Sequence, residues 1–176
     1  MLSIFFIGLA LSMDAFSVSV SIGTTNINHQ RRVFIAIIIG AMHVLMPQIG
    51  FLLGNKVFNI LPINVAIFNV VIFIYLGITM LLKKDDGKEF KYSLLNAVVL
   101  AFCVSLDSFS VGLGLMAITD YIMISTLIFG IISTVISYIG LTLGQHFYER
   151  FKERANILGA IILFTLAVVN LIKEFL

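Results

Sequence analysis

The chain has 176 residues, 60% of them hydrophobic and only 11% charged, with a mean hydropathy of +1.12. A soluble domain of this size needs more polar surface than the sequence can supply, so the composition points to a lipid bilayer. A net charge of +2 with no basic stripe excludes a nucleic-acid partner, and a single cysteine, Cys103, excludes an intrachain disulfide or a CxxC site.

Long apolar runs predict an all-α membrane protein with six transmembrane helices of about 20 residues each. The first run, Leu2–Ile22, has no basic flank and continues to full span length, so it reads as a helix and not as a cleaved leader. It carries Asp14 near its middle, followed at i+3 and i+7 by Ser17 and Ser21 on one helical face. The second, Val33–Leu53, holds His43 and Pro47. Pro47 lacks an N–H and is expected to kink its helix, whereas Pro62 suits the first turn of the third run, Ile60–Leu82. A charged linker at 83–92 leads to Leu94–Met116, which carries Asp107 with Ser110 and Gly114 at i+3 and i+7. Tyr121–Phe147 and Ala155–Ile172 complete the set. Asn69 and Asn170 read as interhelical hydrogen-bonding groups. Trp is absent, so any interfacial aromatic belt comes from Tyr and Phe.

Basic residues sort between the two sides. Arg31, Arg32, Lys83, Lys84, Lys88, Lys91, Arg150, Lys152 and Arg154 lie in the first, third and fifth connections, and only Lys56 and Lys173 lie elsewhere. The positive-inside rule makes those three connections cytoplasmic and places both termini outside.

The halves resemble each other. Ala10 to Gly23 (ALSMDAFSVSVSIG) matches Cys103 to Met116 (CVSLDSFSVGLGLM), with Asp14 over Asp107. Gly40, Gly50 and Gly54 then fall over Gly130, Gly140 and Gly144, the offset drifting only from 93 to 90. A repeat of three spans enters the membrane the second time from the opposite side, so residues 1–82 and 93–176 are expected to form two inverted three-helix repeats. That architecture places substrate sites near the bilayer midplane. The motifs GFLLG (50–54) and GLTLG (140–144) read as close-packing faces.

A carboxylate at the bilayer centre costs about 2.5–3.5 kcal/mol on insertion scales. Two of them, at matched repeat positions, imply a role beyond tying helices together, which Asn or Ser would fill more cheaply. Asp14 and Asp107, with the hydroxyls of Ser17 and Ser110, offer oxygen ligands to a hard cation. His43 adds a nitrogen that shifts preference toward Mn, Fe, Co or Zn; the plainer reading is a packed histidine satisfied by a carbonyl near Pro47. No GxxxxGK[ST] loop, HExxH or Cys/His zinc pattern occurs, so neither nucleotide hydrolysis nor a resident cofactor is expected.

The paired motifs SerMetAspAlaPhe (12–16) and SerLeuAspSerPhe (105–109), with GlyAlaMetHisValLeuMetPro (40–47) and Gly50 and Gly54, resemble the MntP family of bacterial manganese efflux pumps over essentially the full length. The related YtaF sporulation subfamily shares the aspartate motifs. The resemblance implies a multi-pass protein of the bacterial plasma membrane with Mn²⁺ as transported substrate, and it assigns metal export to Asp14 and Asp107. Some family members have Glu where this chain has His43, so the likeness departs there. Two carboxylates can hold either two protons or one divalent ion, which makes proton antiport by alternating access the expected mechanism. The alternatives are export of another cation or an amino acid, and an intramembrane aspartyl protease, whose GxGD signature is missing because ValSerLeu precedes Asp107.

Overall fold

In hydrocarbon no water is available to bond a free N–H or C=O, so an apolar chain closes its backbone hydrogen bonds within helices. The structure is a computed structural model describing residues 2–25, 27–57, 70, 71, 73–75, 77, 78, 81, 94–115, 121–151 and 153–175. Its regular elements, among those residues, are helices: α1 (Leu2–Gly23), α2 (His29–Val57), α3 (Leu94–Val104), α4 (Leu106–Gly114), α5 (Ile122–Phe151) and α6 (Glu153–Phe175). Three of them, Leu2–Gly23, His29–Leu53 within α2, and Ile122–Phe151, are long and apolar enough to cross a membrane. At 1.5 Å per residue the 22 residues of α1 reach about 33 Å, close to the thickness of a hydrocarbon core. The first, second, fifth and sixth expected spans each fall on one of these helices. The described residues between 70 and 81 are helical as well, within the third expected span; Pro62 and Asn69 lie outside the described residues.

The fourth span departs from expectation. It is not one helix but two, α3 and α4, parted at Ser105, whose backbone sits at φ −94°, ψ 0°. Its N–H is shared between the Ala101 and Phe102 carbonyls, both at 3.1 Å, and its hydroxyl donates to the Phe102 carbonyl at 2.9 Å. A serine that bonds its own backbone competes with the helical ladder, and here the α-helical run stops at that residue. The break falls two residues before Asp107. Pro47, in contrast, lies inside α2, which continues through it; the missing N–H leaves the His43 carbonyl without its helical donor.

The start of α2 is set by Asn28, whose Oδ1 accepts the Arg31 N–H at 3.0 Å, an N-cap that satisfies one of the free donors of the first turn. The connection from α1 to α2 is pinned to α5, because Gln145 Oε1 accepts the buried Ile27 N–H at 3.2 Å.

Helix α5 is the centre of the bundle, lying against α1 along its length and crossing α2. Gly8 of α1 meets Phe129, Phe16 and Ser19 meet Gly140, and Gly23 meets Gly144, so α1 and α5 run parallel. Tyr138 of α5 reaches His29, Gly130 meets Gly40, and Gln48 Nε2 donates to Thr126 Oγ1 at 3.0 Å, so α2 and α5 run antiparallel. These approaches need bare backbone. A Cβ on Gly140 would lie 2.8 Å from the Phe16 carbonyl oxygen, and one on Gly144 would lie 2.7 Å from the Gly23 Cα. The expected close-packing face of the second GxxxG motif is thus the seam with α1.

The packing repeats between the halves. Gly140 faces the Phe16 carbonyl and Ser19; Gly50 faces the Phe109 carbonyl and Gly112, the residues that match those in the aligned halves. Gly40 packs on Gly130 and Thr134, while Gly130 packs on Gly40 and Val44, a reciprocal contact of the kind a two-fold axis generates.

The surface is apolar where that of a soluble protein is polar, and the mainly apolar interior also holds polar groups. Leu52, Met123 and Ile131 are 73%, 71% and 64% exposed, while His43, Ser19, Ser108, Ser133 and Ser137 are fully buried. Apolar exposure on this scale is stable against acyl chains and costly in water.

Candidate functional site

Asp14 is half-buried on α1, between the fully buried Ser12 and Ala15. Of the groups on α1, the Leu11 carbonyl acts most on His43 of α2, and the charge of this carboxylate acts on it more weakly. Across the helix pair, the imidazole is fully buried and its Nδ1 lies 2.9 Å from the Ile39 carbonyl oxygen. A carbonyl only accepts, so Nδ1 carries a proton. Nε2 has no hydrogen-bond partner. Two backbone acceptors lie near this ring, the Leu11 carbonyl of α1 and the His43 carbonyl freed by Pro47, and the Asp14 charge reaches it more weakly. Acceptors converging in a buried place are reconciled by a cation, whether a metal ion or a proton.

Asp107 stands in the first turn of α4, half-buried. The break at Ser105 sets that first turn directly against the C-terminal end of α3, with the Ser105 N–H still bonded to the Ala101 and Phe102 carbonyls. Without that break Asp107 would sit in mid-helix, as Asp14 does.

Both aspartates occupy the same layer of the bundle. On α1, Leu11 belongs to an apolar cluster with Val111 and Leu115, while Ala15 and Val18 belong to a second cluster with Leu100, Ala101 and Val104. Asp14 lies between Leu11 and Ala15, and Asp107 between Val104 and Val111, so each falls where its helix passes from one cluster to the other.

The hydroxyls divide into two groups. Serine and threonine in apolar helices usually bond back to their own helix, and Ser12, Ser17, Ser105, Ser125, Thr126, Thr134, Thr142 and Thr165 do so. Four fully buried serines bond to nothing: the hydroxyls of Ser19, Ser108, Ser133 and Ser137 have no partner. Of the expected ligands, Ser17 spends its hydroxyl on the Met13 carbonyl at 3.1 Å and Ser110 is exposed on the surface of α4. Ser21 donates to the Gly159 carbonyl of α6 at 2.8 Å, which is a packing role. The side chain of Asn170 lies outside those described.

Ser133 lies outside the sequence motifs, and Ser108, though inside SerLeuAspSerPhe (105–109), does not stand at i+3 or i+7 from Asp107. For Ser133 a signal exists, because it follows His43 by the same 90 residues that separate Gly40 from Gly130. Among the described residues no three His, Cys, Asp or Glu side chains form a metal-binding group. An ion held here by Asp14, His43 or Asp107 would take its remaining ligands from hydroxyls, carbonyls and water.

Comparison with known proteins bears on this chemistry. The family model described as "Putative manganese efflux pump" matches residues 1–81 and 26–171. A protein of Geobacillus thermodenitrificans carrying that description is 33% identical over 166 residues, 93% of this chain and 91% of its own length. Its counterpart in Geobacillus kaustophilus is 34% identical over 158 residues, 88% of this chain and 86% of its own, and one in Bacillus pumilus is 30% identical over 171 residues, 96% and 93% of the two chains. No solved structure matches the chain.

Proposed function

The chain belongs to the MntP family, and on that premise we propose that it exports Mn²⁺ by exchange with protons, through two inverted halves that open alternately. It is a multi-pass protein of the bacterial plasma membrane and a transporter, not an enzyme. The observation that carries the reading is the fully buried imidazole of His43, its Nε2 without a hydrogen-bond partner inside an apolar bundle, with the Leu11 carbonyl of α1 beside it and the Asp14 charge reaching it from farther off.

Several features support the finer claims. With α2 and α5 antiparallel, two crossings must separate them; α3 with α4 supplies one, and the helical residues between 70 and 81 fit the other. The reciprocal contact of Gly40 and Gly130 fits two halves related by an axis in the membrane plane, with three basic connections inside and both termini outside. The proposed site comprises Asp14, His43 and Asp107, with Ser17 and Ser110 available only if their helices turn, since neither hydroxyl is directed inward in this conformation.

Energetics favour protons as the counter-ion. Moving a divalent cation outward against an inside-negative potential costs about 4.6 kcal/mol per 100 mV, twice the single-charge value. Two protons moving inward carry the same charge, so the exchange is electroneutral and the potential no longer opposes export. Asp14 and Asp107 then hold either two protons or one Mn²⁺, and His43 supplies a borderline nitrogen ligand that Ca²⁺ and Mg²⁺ do not favour.

Purified protein in liposomes, with a Mn²⁺-sensitive dye and a pH dye inside, tests this directly. Mn²⁺ flux accompanied by about two protons in the opposite direction, at a rate insensitive to an imposed potential, is expected from the exchange proposed above. Mn²⁺ flux with unchanged luminal pH would rule out the exchange.

A further inference from the structure

Three of the four unpartnered hydroxyls lie together. Ser133 and Ser137 lie one helical turn apart on the buried face of α5, the face that also carries Gly130 and Gly140. Ser19 meets that face from α1, its Cβ 2.9 Å from the position a Cβ on Gly140 would take. Because α1 and α5 run parallel, with Gly8 at Phe129 and Gly23 at Gly144, Ser133 falls beside the turn before Asp14. Ser137 then falls level with Asp14 and Ser19 one turn beyond, toward the end of the bundle that carries Arg32. His43, three residues past Gly40, and Ser133, three past Gly130, hold equivalent places on the two crossing helices.

We infer that Ser133, Ser137 and Ser19 form a ladder of hydroxyl ligands by which the transported cation passes between the His43 level and the Arg32 end of the bundle, on the face of α1 turned away from Asp14. The inference rests on the transport reading above and adds the route to it. The rungs are spaced by about one turn, roughly 5.4 Å along the axis. A cation midway between two such oxygens lies within about 3 Å of each, near the 2.0–2.6 Å of metal–oxygen bonds, so small rotamer changes pass it from rung to rung. Hydroxyls suit such a path because they replace part of the hydration shell without the charge that would trap the ion. A serine placed there only for close packing would bond back to its own helix, as the neighbouring Thr134 does at 2.8 Å.

The single cysteine, buried Cys103, makes the test clean. In a Cys103→Ala background, Ser19→Cys, Ser133→Cys and Ser137→Cys are exposed to a small charged thiosulfonate in native membranes. Ser21→Cys, at a buried serine bonded to the Gly159 carbonyl, serves as the control. The three ladder positions are expected to label at least ten-fold faster than the control, and at least five-fold more slowly when Mn²⁺ is saturating. Labelling no faster than the control overturns the ladder. Fast labelling that Mn²⁺ does not slow keeps the route and overturns manganese as its cargo. For any cysteine variant that fails to accumulate, Mn²⁺ transport is compared in the alanine and threonine variants of the same serine. Ser137→Ala, for instance, is expected to lose at least five-fold and Ser137→Thr to regain most of it, whereas equal rates in the two overturn the ladder.

Discussion

Gly140→Ala puts the packing account at risk in a measurable way. The added methyl lands 2.8 Å from the Phe16 carbonyl oxygen and 2.9 Å from the Ser19 Cβ. Neither neighbour can swing away: the first is helix backbone and the second is attached directly to it, so α1 must move off α5. Forcing a methyl into a packed seam costs about 1–3 kcal/mol. For a chain of this length each kcal/mol moves the melting temperature by about 2–4 °C, which gives a fall of about 2–12 °C. Gly8→Ala is the matched control. Its methyl also comes as near as 2.9 Å, but to Phe129 Cδ1 and Ile132 Cδ1, the ends of side chains that can turn, so a fall under about 2 °C is expected. The assay uses the protein's own reporter: Cys103 is buried and reacts with a thiol-activated dye as the detergent-solubilised chain unfolds. Equal melting temperatures for the two variants would refute the claim that backbone contact at Gly140 holds α1 to α5.

Gln145→Leu removes the acceptor of the buried Ile27 N–H and is expected to cost about 1–3 kcal/mol, read in the same melting assay and as faster exchange of the Ile27 amide. Pro47→Ala returns a donor to the His43 carbonyl; the melting temperature should hold or rise while Mn²⁺ transport falls about ten-fold, the loss of one good ligand interaction being worth about 1.4 kcal/mol. His43→Ser and Ser133→His each depress transport, and the double exchange should recover at least three-fold over His43→Ser if the two positions are equivalent in the halves; a double variant as poor as the singles denies that equivalence.

Much of the fold is legible in hydropathy, since burial in lipid demands long apolar runs and the helices fall within a few residues of them. The break at Ser105 is not. Leu94–Met116 reads as one long, mainly apolar run, and composition does not report a backbone that turns at one serine to ψ 0°. The aspartates stand out because charge inside a membrane is costly wherever it faces. Which hydroxyls turn inward is not legible, for a related reason. Counting i+3 from each aspartate leads to Ser17 and Ser110, yet the buried stripes run through Ser12, Ala15 and Ser19 on α1 and through Ser108 on α4. In water an amphipathic pattern marks the inward face. A helix apolar all round carries no such mark, and only its neighbours decide which serines turn inward.

Binding of Mn²⁺ to the purified chain, followed by loss of the free-ion paramagnetic resonance signal, reaches the centre of the account. One ion per chain is predicted, with affinity falling at least ten-fold in Asp14→Asn and in Asp107→Asn alike. Parent-like affinity in either variant would contradict a shared site built from both halves.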